Sequence, residues 1–139
     1  MVANKKEANK TKVAREISQI FGGLESEQIA TLKEHVEVTK YKKGEMIYQC
    51  EETPTDAMCL LTGKVKIFKD GINGKSQIIR VIKPNEFFGF RAYFANEIYK
   101  TAAQALDTCT VAHFPLPVLM KLLQKSYKIG YYFIKYLSV

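Results

Sequence analysis

AMCLLTGKVKIFKDGINGKSQIIRVIKPNEFFGF, residues 57–90, decides the fold. It contains four short β-prone runs: AMCLLT (57–62), VKIFKD (65–70), SQIIRVIK (76–83) and EFFGF (86–90). Turn formers separate the later ones, Gly71 to Gly74 and then Pro84–Asn85. Val65 and Ile67 alternate with Lys64, Lys66 and Lys69, so that run has one wet face, because successive side chains on a strand point to opposite sides. The stretch from Asp70–Gly71 to Asn73–Gly74 suits a hairpin connection, since glycine and asparagine accept positive φ.

The same pattern extends outward. VEVTKY (36–41) and EMIYQ (45–49) lie before it, TAAQAL (101–106) and TCTVAHF (108–114) after it, with breaks at Lys43–Gly44 and Thr53–Pro54. Strands recurring every 8–12 residues or so, with a turn signal at each break, indicate a sandwich or jelly roll. The flanks are helical in period. Residues 1–10 read as a flexible arm, and from Thr11 the residues Val13, Ile17, Ile20 and Phe21 fall near one helical face. Gly22–Gly23 ends that segment, and Ser26 is expected to cap a second helix with stripe Ile29, Leu32 and Val36. After Pro115 and Pro117, residues Val118, Leu119, Leu122 and Leu123 predict a short amphipathic helix. Ser126 is expected to cap a last one, apolar over most of its circumference. A terminal helix of that kind needs cover on two sides. The roll supplies one, and a second copy of the helix is the economical other, with Ile129, Tyr132, Phe133, Tyr136 and Leu137 as the expected dimer seam.

Composition narrows the function classes. The chain has 139 residues, 47% hydrophobic and 25% charged, which suits one globular domain. No apolar run approaches the roughly 20 residues that span a bilayer. The polar, lysine-rich start carries no signal-peptide core, so a cytoplasmic location and no membrane partner are expected. The net charge of +7 permits an anionic partner, yet no basic run is interleaved with aromatics as base stacking would require. The lysines of the first 15 residues and those after Asp107 read as a solvated tail and a solvated helix face. Cys50, Cys59 and Cys109 are dispersed and lack CxxC spacing, which points to buried, inert thiols rather than a disulfide, zinc or iron–sulfur site.

At this level the chain resembles a known family. Tyr41-x-Lys43-Gly44-Glu45-x-Ile47, Leu60-Leu61-x-Gly63-x-Val65, Phe87-Phe88-Gly89, Ala103-x-Ala105-Leu106 and Cys109-x-Val111 together resemble the cyclic-nucleotide-binding β-roll of catabolite-activator/FNR (CRP/FNR) regulators, over about Leu24 to Val139. The resemblance implies a mainly β fold, an eight-stranded double roll (a double-stranded β-helix, or jelly roll), with a short helix inside the ligand cassette and a long helix that pairs in a parallel homodimer. It divides the chain into a basic arm with an N-terminal helix (1–23), the roll (24–117) and the C-terminal helices (118–139), which include the start of the dimerisation helix. It also implies a DNA-reading winged helix-turn-helix, for which no segment remains before Val139.

In the family pattern a Gly-Glu pair opens the cassette helix, the glutamate accepts from the ribose hydroxyl, and an arginine in Arg-Ser/Thr-Ala grips the phosphate. Gly89 is kept and Phe94 matches the cassette's aromatic. Phe90 stands at the glutamate position and cannot accept a hydrogen bond. The arginine position falls on Lys100 counted forward from Gly89, or on Tyr99 counted back from Ala103. Lys100-Thr101-Ala102 could hold a phosphate as a point charge, and Arg91 is a second candidate cation. Asn85 replaces a glycine common before this strand. The expected ligand-binding set is therefore Gly89, Phe90, Arg91, Tyr99, Lys100 and Thr101, in a degenerate cassette filled by side chains or shaped for another effector.

No cofactor is expected, and the departures weigh against a cyclic nucleotide. An FNR-like cluster would need cysteines near the N-terminus. A haem would need an axial ligand, for which His35 and His113 are the histidines at hand, and both read as structural or solvated. A cupin-type enzyme would need several converging histidines. The reading is a non-enzymatic effector-sensing and dimerisation domain of a DNA-binding transcription regulator, with an unidentified small-molecule effector. The alternative is a free-standing cyclic-nucleotide-binding module that acts on a protein partner.

Overall fold

Turn chemistry and side-chain alternation fix the strand boundaries, and the computed structural model describes residues 2–138, with side chains from Asn9 onward. Eight strands form: β1 (Glu37–Tyr41), β2 (Met46–Tyr48), β3 (Asp56–Thr62), β4 (Val65–Asp70), β5 (Ser76–Ile82), β6 (Phe87–Phe88), β7 (Ala102–Ala105) and β8 (Cys109–Pro115). They make two four-stranded sheets, ordered β1-β8-β3-β6 and β2-β7-β4-β5. The fold is the expected jelly roll. The described residues also form five helices: α1 (Val2–Ile20), α2 (Ser26–His35), α3 (Arg91–Phe94), α4 (Leu116–Lys125) and α5 (Tyr127–Leu137). None is long and apolar enough to cross a membrane among the described residues. Residues 38–113 form one compact unit, and residues 1–37 with 114–139 a second. α2 thus clusters with the terminal helices, whereas the sequence reading had joined it to the roll.

In the roll unit the inner faces of both sheets supply one core. Met58, Leu60, Phe88, Cys109 and Val111 come from the first sheet, and Tyr48, Val65, Ile82, Ala103 and Ala105 from the second. β4 and β5 pair from Val65↔Ile82 to Asp70↔Ser76, with a bulge between Ile67 and Phe68. The Gly71–Gly74 turn closes this hairpin, Gly71 N–H donating to the Lys75 carbonyl at 2.7 Å. Asn85 sits at φ 71°, which explains how asparagine serves where the family commonly has glycine. Its N–H donates to the Leu60 carbonyl at 2.7 Å. On the first sheet, the Tyr41 hydroxyl lies 2.9 Å from His113 Nε2, and His113 Nδ1 lies 3.6 Å from Asp56 Oδ2. Side chains from β1, β8 and β3 are thereby tied across the sheet, a structural role for His113.

The helical unit departs from the sequence reading at several points. Residues 2–10 are helical, not a loose arm, since α1 begins at Val2. The cap of α2 is Glu25, not Ser26: Glu25 and Gln28 exchange side-chain and backbone bonds in a capping box. Ser126 occupies the N-cap position of α5 without a side-chain capping bond. The end of α1 is closed by Gly22 and Gly23 at φ 89° and 93°, and the Gly23 N–H donates to the Ser18 carbonyl at 2.8 Å. Lys128 Nζ donates to the Gly22 and Gly23 carbonyls at 3.3 and 2.9 Å, a cation placed where the helix dipole is negative. Phe21 packs against Tyr132 and Phe133, with ring centroids 5.3 and 5.9 Å apart. Cys59 and Cys109 are buried as expected, but Cys50 is exposed in the loop after β2.

Gly63 shows how tightly the roll is drawn. It has φ 93°, and a Cβ there would lie 2.5 Å from both Cys109 Cβ and the Thr108 carbonyl oxygen. Backbone strain and a clash with main chain combine, so Gly63→Ala should destabilise the chain by about 2 kcal/mol or more. A urea titration that placed the variant within experimental error of the parent would refute this packing.

Candidate effector site

The cassette is built from the β6–α3 corner and the segment that enters β7. Gly89 follows β6 at φ 81°, a conformation that favours glycine. A Cβ on it would run into the Met58 methyl group, and the Tyr99 hydroxyl would stand 3.3 Å away. The space over Gly89 is thus taken by side chains of this chain. Tyr99 is buried, stacks on Tyr48 with centroids 3.8 Å apart and planes 15° apart, and donates its hydroxyl to the Gly89 carbonyl at 2.7 Å. Backbone bonds hold it there: its N–H donates to the Glu52 carbonyl at 2.9 Å, and its carbonyl accepts from Glu51 N–H at 2.8 Å. Glu51 adopts φ 77° in making that turn.

Of the expected ligand residues, the structure brings Gly89 and Tyr99 into direct contact. Phe90 is buried, its ring edge-on to Phe94 at 6.2 Å. Its position at the start of α3 carries no side-chain capping bond. Arg91 is exposed. Lys100 is exposed too and pairs with Glu97 at 3.2 Å. Thr101 is half-buried. The sequence reading did not single out Tyr48 and Met58. Both are remote from Gly89 along the chain, and only the pairing of β3 with β6, which sets Met58 opposite Phe88, brings one of them to the glycine.

The electrostatics are those of an apolar interior. Among the described residues the buried polar side chains are Ser18 and Ser126, both in the helical unit. No buried side chain of the roll therefore carries a charge with which to neutralise a phosphate, and a buried anion without a partner is strongly disfavoured. Burial raises the phenol pKa of Tyr99, with Tyr48, Asp56 and Glu52 adding to the effect. Burial likewise raises Tyr48 and Tyr41. Tyr99 is a neutral hydrogen-bond donor across the ordinary pH range. Among the described residues no group of three or more His, Cys, Asp or Glu side chains is placed to hold a metal.

Comparison with known proteins now identifies the architecture. The profile of the cyclic nucleotide-binding domain matches residues 38–126. The chain belongs to that family. The sensor domain of the transcriptional regulator DNR from Pseudomonas aeruginosa superimposes with a TM-score of 0.77 at 20% identity, covering 92% of this chain and 88% of that one. Thermus thermophilus catabolite activator protein gives 0.74 at 17% identity, covering 86% of this chain and 56% of that one. An uncharacterized protein of Haemophilus influenzae is 34% identical over 65 residues, 47% of this chain and 50% of its own length. The chain thus matches about half the length of that curated relative. The structural neighbours establish the fold.

The raised tyrosines make stability sensitive to alkali. A phenol whose folded pKa lies above its unfolded value of 10.0 contributes stability that is complete below pH 10 and is lost as pH rises beyond it, because the unfolded chain releases the proton first. Tyr99→Phe should flatten this alkaline loss. At neutral pH it should cost about 1 kcal/mol for the missing bond to Gly89. Denaturant midpoints of parent and variant across neutral to alkaline pH provide the check, and parallel curves would show that Tyr99 is not the buried phenol described.

Proposed function

We propose that this chain is the effector-sensing and dimerisation domain of a DNA-binding transcription regulator of CRP/FNR type, with a cassette that has lost ordinary cyclic-nucleotide binding. One observation carries the reading: the seat over Gly89 is filled by Met58 and by the Tyr99 ring, itself stacked on Tyr48 and bonded to the Gly89 carbonyl. The substitutions at the ribose and phosphate positions agree with it. Phe90 offers no acceptor, and Lys100 is solvated and engaged with Glu97.

The dimer seam is proposed on α5, with its register moved from the sequence expectation. Ile129 and Phe133 are buried at 0% and 2% within the chain, so they are spent on its own core. Tyr132 and Tyr136 are half-buried, and Phe21 abuts the Tyr132 ring. The outward stripe is Tyr127, Tyr131 and Ile134, with Leu137 at its flank. These are 82%, 64%, 68% and 40% exposed, at the spacing of one helical face. A second copy of α5 against this stripe would cover it symmetrically.

Two measurements test the reading. Calorimetry with cyclic AMP should show no heat and thermal melts no shift, and micromolar binding would overturn the filled cassette. Sedimentation should show a dimer that Tyr131→Glu combined with Ile134→Glu converts to monomer, both positions being exposed enough for the fold to tolerate the change. An unaltered sedimentation profile would remove α5 from the seam.

A further inference from the structure

The outer edge of β5 has no strand beside it among the described residues, because β5 ends the β2-β7-β4-β5 sheet. Proteins usually blunt such edges with lysines, prolines or very short strands. Within its seven residues β5 carries no lysine or proline, and its one irregularity is the bulge that leaves Ile79 without a partner on β4. It runs seven residues as SQIIRVI, and Arg80, its one charged side chain, is engaged with Glu86 at 2.7 Å. Ile78 and Ile79 are each 54% exposed and Val81 is 40% exposed. Register places Ile78 opposite Phe68 and Val81 opposite Lys66. Val65 and Ile67 of β4 point into the core, so Lys66 and Phe68 point out. The Lys66 ammonium lies 4.7 Å over the Phe68 ring. Phe68, Ile78 and Val81 thus form an outward apolar strip along an open backbone edge.

We infer that the β5 edge is a docking strand for an extended, acidic segment of another protein. An added strand would take up the open edge's main-chain donors and acceptors, and its alternate side chains would lie on Ile78 and Val81. The charge around the edge selects the partner. Lys66 lies on the strip's own face, and Lys64, Lys69, Lys75 and Lys83 lie close to it along the chain, with Asp70 as the one acid between Lys64 and Lys83 before Glu86. An acidic strand would meet these cations favourably. A second copy of β5 would bring the same lysines against themselves, and like charges facing across strands are destabilising.

The test uses the intact chain and a labelled peptide of about eight residues, a usual strand length, alternating valine with glutamate. Fluorescence anisotropy should show binding, and amide exchange in β5 should slow on adding it. A peptide alternating valine with lysine should not bind. Ile78→Ala combined with Val81→Ala should weaken the acidic peptide about tenfold, the worth of two cross-strand pairs, and leave the thermal melt in place. Equal binding of both peptides, or undiminished binding by the variant, would overturn the inference. So would β5 protection that grows with chain concentration alone, which would mean a second copy, or protection by a DNA duplex in place of the acidic peptide.

Discussion

Residue 89 turns at positive φ beneath packed side chains, and much of the cassette follows from that constraint. The chain turns there at φ 81° with Met58 from β3 and Tyr99 from the approach to β7 pressed onto the same spot. Close packing of this kind leaves no tolerance for even a methyl group without displacement of a neighbour. The hydroxyl of Tyr99 satisfies the Gly89 carbonyl, a group that would otherwise need a partner from ligand or water. The Tyr48 ring then fixes the plane of Tyr99, and the Glu51–Glu52 turn fixes its backbone. Each of these contacts joins segments far apart in sequence, so the corner holds the two sheets in one arrangement.

The same corner shows rings, and not charged groups, filling the interior beside Gly89. An anion in a low-dielectric interior needs a cation that is itself positioned and partly desolvated. Once the cation is out in solvent, as Lys100 is, the donors and acceptors around it become liabilities unless they pair among themselves. Here the Tyr99 hydroxyl pairs with the Gly89 carbonyl. No buried side-chain nitrogen or oxygen among the described residues lacks a hydrogen-bond partner. An interior that pairs its own polar atoms is stable in the empty state, and any effector entering it must break those pairs.

The strands were legible because their signals are local. Gly74 and Asn85 punctuate the chain at positive φ, and alternation between Lys66 and Ile67 is visible to the eye. The departures arise where distance in sequence hides a contact. Apolar spacing gave no reason to start α1 before Thr11, since the residues ahead of it are mostly polar. Ser26 looked like the better cap, but Glu25 has a partner in Gln28 three residues on, and the reciprocal pair won. On α5 nearly every position is apolar, so periodicity could not choose an inward face. Phe21, more than 100 residues earlier, chose it by packing against Tyr132 and Phe133. Motif spacing singles out Phe90 and Lys100, whereas it gives no sign of Tyr48 and Met58, because strand pairing alone brings residue 58 near residue 89.

Sequence alone also could not separate two strands of similar appearance. AMCLL in β3 and QIIRVI in β5 are both apolar runs of β-prone residues. β3 lies inside its sheet between β8 and β6, and Ala57 to Leu60 are all buried. β5 lies at an edge, and Ser76 to Ile79 are all exposed. The difference comes from position in the sheet, not from hydrophobicity. An apolar residue buried in β3 stabilises the fold by removal of its surface from water, whereas Ile78 and Ile79 leave much of theirs in solvent. Fold stability therefore does not account for isoleucine at both of those positions. A strand that needed only to close the hairpin could carry threonine or lysine there with no loss of core packing, so their apolar character is better explained by what the open edge can receive.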